Sequence, residues 1–462
     1  MESNFAVSDF LKNIKYCNCT IYSLNLTKIL IMKTLLALIF TVLASNLVSA
    51  QRTPQEKIDQ LTSQLHTQLV TWRRQIHQNP ELGNREFKTA EMVTLHLRKL
   101  GLEVTTNVAH TGVVGILKGG KPGKVVALRA DMDALPVTER TDVSFKSTVM
   151  ADYNGQATGV MHACGHDTHV AILMSVASVL SQIKEELHGT VKFIFQPAEE
   201  GAPEGEEGGA KLMVEQGVLE NPKVDAIFGL HINSQTEVNT ITYRPGATMA
   251  AVDFFSIDVK GKQTHGAYPW SGVDPIVTSS QIISGLQTIV SRNLDITKAP
   301  AVVTIGAIHG GIRQNIIPEE VKMIGTIRTF DEEMHRYVHQ RVHEIATNIA
   351  ESAGAEAVVD IDILYPVTYN DIPLTEKMVS TLQDVAGKDH VVLTTAKTGA
   401  EDFSYYQQKV PGFFFFLGGM PQGKSPSEAA PHHTPDFYID ESGLDLGVRS
   451  LSRLAFDFLN NN

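Results

Sequence analysis

The sequence predicts an α/β fold, in which a main domain with a mostly parallel central sheet is interrupted by a smaller α+β domain. In the first half of the chain, short apolar strands alternate with helical patterns, which is typical of parallel sheets. The region 246–361 instead has alternating strands together with two helical stretches. Beyond it, a very apolar strand over 413–417 returns to the first pattern.

Length and composition are those of an ordinary globular protein. The 462 residues are enough for two domains of about 100–200 residues each. Hydrophobic residues make up 43% of the chain and charged residues 19%, so bulk disorder is not expected. The net charge of -12 disfavours nucleic acids and anionic membrane surfaces as partners. A small-molecule substrate is compatible with this charge.

The N-terminal segment has the pattern of a secretory signal. A charged start at Met32 is followed by an apolar run over 34–44 and by the small-residue site VSA at 48–50. The run is too short for a comfortable membrane span. We therefore predict export to the periplasm or the medium, with 1–50 as leader and signal peptide and no stable membrane anchor after cleavage. Translation from Met32 is the preferred interpretation, and a signal anchor with a long leader is the alternative.

The cysteine content points to one special thiol. The chain has three cysteines, Cys17, Cys19 and Cys164, and removal of the predicted leader leaves only Cys164. A single thiol cannot form an internal disulfide. It is therefore buried and inert, or reactive, or a metal ligand.

The main domain is assigned to 51–245 and 362–462. A long helix is predicted over 54–78 and ends at Asn79-Pro80, because the residue before a proline disfavours helical geometry. The other predicted elements of this domain are a helix over 170–180 and strands over 125–129, 191–195, 226–230 and 413–417.

The inserted domain is assigned to 246–361. Its predicted elements are strands over 254–259, 301–305 and 321–327 and helices over 275–290 and 332–350.

The densest polar cluster is HACGHDTH at 162–169, just before an apolar helix. Its three histidines, with Cys164 and Asp167, offer imidazole, thiolate and carboxylate ligands, a set that suits Zn²⁺ and its first-row neighbours. Helix capping is the alternative. Capping explains Asp167 or Thr168 but does not explain a cysteine among three histidines.

A second cluster, Glu199-Glu200, directly follows a strand. In extended geometry, adjacent side chains point to opposite faces, so one carboxylate can bind a cation while the other faces a bound water. Metal-assisted hydrolysis needs this division of roles. A solvated acidic loop is the alternative, and Glu204, Glu206 and Glu207 fit it.

Other strands are also followed by metal-competent residues. Asp131 and Asp133 end the strand 125–129, His231 ends 226–230, and His432-His433 come after 413–417. A lone histidine such as His231 is more often structural. In open α/β sheets, however, ligands bind beyond the carboxyl ends of the strands, so these side chains should converge on one crevice.

Taken together, the motifs resemble those of the M20 metallopeptidases, in the branch of N-acyl-amino-acid, hippurate and plant auxin-conjugate hydrolases. The similarity runs from about Arg73 to the end of the chain. The matching stretches are RQIHQNPEL at 74–82, RADMDALP at 129–136, MHACGHD at 161–167, QPAEEG at 196–201, GAEDF at 399–403 and HTPDF at 433–437.

The resemblance implies a site for two divalent metal ions, which could be Zn²⁺, Mn²⁺, Co²⁺ or Ni²⁺. Cys164 matches the bridging thiolate, Glu199 the general base, and Asp133 a residue that orients a ligand histidine. The remaining implied ligands are His166, Glu200, His231 and His433. His432 competes with His433, and the His-x-Pro-x-Phe spacing favours His433.

The inserted region resembles the family's lid and dimerisation domain. Its motif GKQTHGAYP at 261–269 implies that His265 reaches an active site, that of the partner subunit in a homodimer, and stabilises the oxyanion. Asn315 and Arg328 match substrate contacts, and an arginine suits a planar carboxylate. A turn residue for His265 and a lid salt bridge for Arg328 are the alternatives.

The predicted function is metal-dependent hydrolysis of the amide bond of N-acyl amino acids or similar small conjugates. A metallo-carboxypeptidase or dipeptidase is the first alternative. A metal-independent hydrolase with Cys164 as nucleophile and a non-catalytic binding protein are more remote alternatives. The thiol hydrolase would leave Glu199-Glu200 and the histidines at the strand ends unexplained.

Overall fold

The computed structural model describes residues 32–34 and 52–461. Most of the predicted leader and signal peptide, including Cys17 and Cys19, lies outside these residues. Within the described ranges, no helix combines the length and the apolar character that a membrane crossing requires.

Nine α-helices are seen in the described part of the chain. They are α1 (Pro54–Gln78), α2 (Phe87–Lys99), α3 (His166–Gln182), α4 (Gly209–Glu215), α5 (Pro275–Thr288), α6 (Glu332–Ser352), α7 (Ile372–Ala386), α8 (Ser404–Gln407) and α9 (Leu444–Asn460).

Eighteen strands are seen in the same ranges. They are β1 (Glu103–Val108), β2 (Gly112–Lys118), β3 (Lys121–Asp131), β4 (Met150–Tyr153), β5 (Gln156–Gly159), β6 (His188–Gln196), β7 (Ala226–Glu237), β8 (Ile241–Tyr243), β9 (Gly246–Met249), β10 (Ala251–Lys260), β11 (Thr264–His265), β12 (Ala301–Gly310), β13 (Ile316–Ile317), β14 (Glu320–Thr329), β15 (Glu356–Tyr365), β16 (Thr368–Asn370), β17 (Val391–Leu393) and β18 (Gly412–Met420).

The main sheet has eight strands in the order β1-β2-β6-β3-β7-β18-β8-β17. Its central strands β6, β3, β7 and β18 are neighbours and run parallel to one another. Antiparallel pairs lie towards its two edges, between β1, β2 and β6 on one side and between β18 and β8 on the other. The prediction of an α/β fold with a mostly parallel central sheet is confirmed.

The Phe-rich strand β18 shows why this sheet is buried on both faces. Successive side chains of a strand point to opposite faces. Phe413 and Phe415 accordingly pack into the larger apolar core, which also contains helices α3 and α9. Phe414 and Phe416 pack into a second core on the other face, with Phe403. A continuous apolar strand of this kind is typical of parallel sheets covered on both sides.

The residues between β9 and β16 form a four-stranded antiparallel sheet in the order β12-β14-β10-β15. Helices α5 and α6 cover one of its faces and share an apolar core with it. Asp274 and Asp331 cap the N-termini of these helices by accepting hydrogen bonds from backbone N–H groups of the first turn. The sequence predicted three strands here, and β15 is the fourth long one.

Candidate metal centre

Four parallel strands bring their polar side chains to one edge of the main sheet. Asp131 is the last residue of β3, and Glu199 follows β6 by three residues. His231 lies inside β7, which continues to Glu237, so the prediction that it ends its strand was wrong. The strand is longer because β7 stays paired with β18 as far as Met420.

The turn before helix α3 places the thiol and the first histidine of the cluster side by side. Gly165 adopts a left-handed φ of 96°, and a Cβ at this position would lie 2.4 Å from Cγ2 of Ile232. Glycine is therefore required between Cys164 and His166. Thr168 donates hydrogen bonds to the carbonyl oxygen of Gly165 through both its N–H and its hydroxyl group. The N-cap residue is Gly165, and no side-chain hydrogen bond caps the helix there, so the capping interpretation was wrong.

Around the Cys164 thiol, the four other predicted ligands are connected by a chain of short distances. Sγ of Cys164 is 3.4 Å from Nε2 of His231 and 3.3 Å from Nε2 of His433. Nε2 of His433 is 3.1 Å from Oε1 of Glu200, which is 3.9 Å from Nε2 of His166. The structure thus brings all five predicted ligand side chains together with the thiol at their centre.

In two of these histidines, hydrogen bonds to Nδ1 leave Nε2 available for metal binding. Nδ1 of His166 lies 2.9 Å from the carbonyl oxygen of Asp133 and 3.2 Å from its Oδ1. Nδ1 of His231 lies 2.6 Å from the carbonyl oxygen of Ile232. With Nδ1 engaged as a donor, each ring presents the lone pair of Nε2, and Nε2 of His166 is buried without a hydrogen-bond partner. These residues fit a metal ion.

The electrostatic environment of the site also favours the binding of a cation. Burial raises the pKa of the Cys164 thiol well above its usual value, and the carboxylates of Glu200 and Glu199 raise it further. Burial lowers the pKa of His231 well below its usual value, so this ring is neutral. A cysteine binds a metal as the thiolate, and a cation at this site would favour loss of the Cys164 proton.

Glu199 has the environment of a proton-transfer group. Its side chain is almost fully buried, and the hydroxyl group of Tyr365 donates a 2.6 Å hydrogen bond to its carbonyl oxygen. Burial raises the pKa of Glu199 well above its usual value, and Glu401 and Glu200 raise it further. A raised carboxyl pKa suits a group that both takes and returns a proton near neutral pH.

Glu199 and Glu200 do not point to opposite faces, as extended geometry would require. They lie in a turn after Ala198, whose φ is 50°. Consequently both carboxylates approach Nε2 of His166, each to 3.9 Å. The expected roles of metal ligand and general base are instead distinguished by the surroundings of each carboxylate. Glu200 also contacts the predicted ligand His433, and Glu199 is the more deeply buried of the two.

Asp133 joins two of the ligands. One carboxylate oxygen contacts Nδ1 of His166, and the other accepts a 2.9 Å hydrogen bond from the backbone N–H of Glu200. One side chain at the end of β3 therefore orients ligands that come from helix α3 and from the loop after β6.

The two adjacent histidines after β18 are both close to the thiol. Nδ1 of His432 lies 3.7 Å from Sγ of Cys164, but its Nε2 accepts a hydrogen bond from the backbone of Ser234. His433 contacts the thiol and Glu200 through the same nitrogen. His432 also lies within ligand distance of Cys164 and His231, so the choice of His433 as the ligand stays a prediction.

Beneath the site lies a buried ionic network that the sequence analysis overlooked. Arg129 contacts Asp131 at 2.5 Å, Asp402 at 2.8 Å and Glu401 at 2.9 Å, and all four side chains are buried. Gln196 donates hydrogen bonds to Asp402 from the end of β6. These residues belong to the RADMD, QPAEEG and GAEDF motifs, so the motifs marked them, but no role had been assigned to them.

The site opens into a cavity of about 710 Å³ between the main sheet and the inserted sheet. Arg328 lines this cavity, as do Tyr365 and Lys397, which the sequence analysis did not single out. His265 and Asn315 lie elsewhere. Both are exposed. His265 belongs to β11, which pairs with β13 in a separate two-stranded sheet, and Asn315 directly precedes β13.

Comparison with known proteins gives a consistent result. The model of peptidase family M20/M25/M40 matches residues 127–457. Thermostable carboxypeptidase 2 of Saccharolobus solfataricus is 42% identical over 407 residues, which make up 88% of this chain and 99% of the relative. The Arabidopsis thaliana IAA-amino acid hydrolase ILR1-like 4 is 39% identical over 395 residues, 85% of this chain and 86% of the relative.

A solved structure shares the fold over the same length. The crystal structure of the Bacillus subtilis YXEP protein, a dinuclear metal-binding peptidase from the M20 family, matches with a TM-score of 0.72 at 36% identity. The match covers 87% of this chain and 100% of that chain.

The chain belongs to peptidase family M20/M25/M40. The predicted family and the predicted class of enzyme, a metal-dependent amide hydrolase, are confirmed.

Replacement of Asp133 by Asn should weaken metal binding about 10–100-fold, because the carboxylate that orients His166 and holds the Glu200 backbone is lost. Titration of the metal-free protein with Zn²⁺ against a chromophoric chelator measures this affinity. The exposed Asp142→Asn is the matched control and should bind like the wild type. Equal affinities for all three proteins would refute the orienting role of Asp133.

Proposed function

We propose that this chain is a binuclear metal-dependent amidohydrolase that releases amino acids from N-acyl amino acids or similar small conjugates. One observation carries the proposal. Four other metal-competent side chains surround the Cys164 thiol, and the buried Glu199 carboxylate lies beside them in the wall of a large cavity. Thiolate, imidazole and carboxylate ligands together favour Zn²⁺, and Mn²⁺, Co²⁺ and Ni²⁺ are the other candidates.

The roles of the residues follow from their positions. Activation of water and polarisation of the substrate carbonyl are the chemistry that bound divalent ions supply. Glu199 accepts the proton of the attacking water and then delivers it to the leaving nitrogen, and its raised pKa favours the first of these transfers. Tyr365 and the Arg129 network hold the Glu199 turn and the strand ends in place.

Two cations in the cavity can recognise the carboxylate of the substrate. Arg328 is partly buried in the cavity wall. Nζ of Lys397 lies 3.7 Å from the centre of the Phe416 ring and forms no ion pair within the described ranges. Phe416 is in register with His231 across β18 and β7, so the Lys397 ammonium is close to the metal ligands. A substrate carboxylate could form an ion pair with this ammonium group while the amide bond to be cleaved lies at the metal ligands.

Peptide hydrolysis is the second candidate. A C-terminal amino acid of a peptide carries the same carboxylate and amide as an N-acyl amino acid, so the same cavity accepts both chemically. The similarity to thermostable carboxypeptidase 2 favours this alternative, and the similarity to an IAA-amino acid hydrolase favours the first.

We further propose that two chains form a homodimer through the inserted domain, which acts as a lid, and that His265 supports the oxyanion in the partner's site. His265 is exposed and does not line the cavity of its own chain. The same domain exposes large apolar side chains, with Trp270 77% and Ile312 97% accessible, as expected of a contact surface. The role of Asn315 as a substrate contact would likewise require the partner's site.

The direct test of the activity is release of free amino acid from N-acetyl, N-benzoyl and indole-acetyl amino acids and from dipeptides. We expect release that stops with a chelator and returns with added divalent metal. Glu199→Gln should retain its metal and lose about 10²–10⁴-fold in kcat, because the proton-transfer group is gone. The exposed Glu204→Gln is the control and should keep full activity.

Release that is insensitive to the chelator would contradict the metal mechanism. Full activity of Glu199→Gln would contradict the role of this carboxylate, and hydrolysis of dipeptides alone would select the peptidase.

Lys397→Met should raise KM about 10–100-fold with little change in kcat, because a charge-assisted hydrogen bond to the substrate carboxylate is lost. Lys397→Arg should restore most of the affinity. Substrates with an amidated carboxylate should not distinguish the variants. The exposed Lys424→Met serves as control. A loss in kcat alone, equal for free and amidated substrates, would show that Lys397 does not bind the carboxylate.

Mixing inactive subunits tests the shared site. Glu199→Ala and His265→Ala chains should each be inactive, and a refolded mixture should recover up to about a quarter of wild-type activity, since half of the dimers are mixed and each holds one intact site. A mixture without activity, from chains that form dimers, would contradict a contribution of His265 across the dimer.

Export is the last part of the proposal and rests on the predicted signal peptide before Gln51. N-terminal sequencing of protein from the medium or the periplasm should give Gln51 as the first residue. Protein that stays in the cytoplasm with Met1 or Met32 at its start would contradict export.

A further inference from the structure

A second cluster of potential metal ligands lies in the inserted domain, away from the catalytic cavity. Asp253 comes from strand β10, and His335 and His339 come from helix α6. Nε2 of His335 is 2.6 Å and Nε2 of His339 is 2.7 Å from Oδ2 of Asp253. The three potential ligand atoms all lie within 4.8 Å of one another.

The carboxylate of Asp253 is buried and incompletely satisfied. Its side chain has no accessible surface, and Oδ1 has no hydrogen-bond partner. Burial would raise the pKa of Asp253, but the hydrogen bonds from His335 and His339 outweigh burial and lower it. An ionised carboxylate with one bare oxygen is costly in a protein interior unless a cation faces it.

The two histidines are arranged as a chelate. They are four residues apart on one helix, so their side chains leave the same face, and their ring centroids are 4.3 Å apart. The His339 side chain is 18% accessible, which leaves a route from solvent and room for a water ligand. Two basic side chains of the same domain form no ion pair with Asp253. Lys298 pairs with Asp331 and Glu333, and Arg328 lines the catalytic cavity and interacts with Asp253 only at longer range.

We propose that Asp253, His335 and His339 form a third divalent metal site, best suited to Zn²⁺, which fastens helix α6 to strand β10. Two imidazoles, one carboxylate and one water make a common four-coordinate zinc set. In the metal-bound form each ring would carry its proton on Nδ1 and offer Nε2 to the ion, in place of the Nε2–H that donates to Asp253 in the metal-free form. The Nε2–Oδ2 separations then widen to about 3.3 Å, the edge of a tetrahedron with bonds of about 2.0–2.1 Å.

This site would also stiffen one wall of the catalytic cavity. Val252 and Phe254, the neighbours of Asp253 in β10, both line that cavity, since successive side chains of a strand alternate between its faces. Anchoring Asp253 on the helical side therefore restrains the two residues that face the substrate.

Metal counting on the full chain tests the proposal. Protein dialysed against excess Zn²⁺, and then against metal-free buffer, is analysed by plasma mass spectrometry. We expect His339→Gln to hold one Zn²⁺ per chain less than the wild type. His343→Gln should hold as many as the wild type, because His343 is exposed one turn further along the same helix.

Asp253→Asn provides a second variant that keeps the size of the side chain, and circular dichroism checks that each variant is folded. The comparison rests on a difference of one equivalent, so it does not depend on how many ions the catalytic site retains. Equal zinc contents in folded His339→Gln, Asp253→Asn and wild-type protein would overturn the proposal and leave two histidines that simply donate hydrogen bonds to a carboxylate.

Discussion

The site is governed by an excess of buried negative charge at the carboxyl ends of four parallel strands. Arg129 is buried among Asp131, Glu401 and Asp402 and forms ion pairs with all three in the layer beneath the site. Among the described residues, no lysine or arginine forms an ion pair with Cys164, Glu199 or Glu200 in the cavity-facing layer, and Arg129 acts on Glu199 only at longer range. Buried charges are paired or coordinate metals, so this arrangement of acidic side chains favours the binding of cations.

Ligand geometry follows from how the sheet is wound. Parallel neighbours deliver their ends to one edge, and each connection contributes only one or two groups. Asp133 fixes the relative positions of two of these groups, because it forms hydrogen bonds with the ring of His166 and with the backbone N–H of Glu200. The inserted sheet closes the other side of the cavity, and Arg328 on that sheet faces the metal ligands on the main one.

Much of this could be predicted from the sequence, because apolar strand runs and polar residues at their ends are local signals. Contacts made only in three dimensions could not be. The carboxylates of Glu199 and Glu200 approach the same histidine because of a turn at Ala198. Strand β7 extends beyond His231 because it stays paired with β18. Lys397 carries no motif signal of its own, since its position over Phe416 arises from tertiary packing. The domain boundaries, the signal peptide and the roles of His265 and Asn315 remain predictions.

Anomalous X-ray diffraction from crystals of the Zn²⁺-loaded enzyme tests the central claim most directly. Two strong peaks are expected at the edge of the main sheet, both about 2.3 Å from Sγ of Cys164. The other ligands around these peaks should be His166, Glu200, His231 and His433, with Glu199 facing the space between the ions. A single peak, or peaks that do not share the Cys164 thiol, would contradict the account.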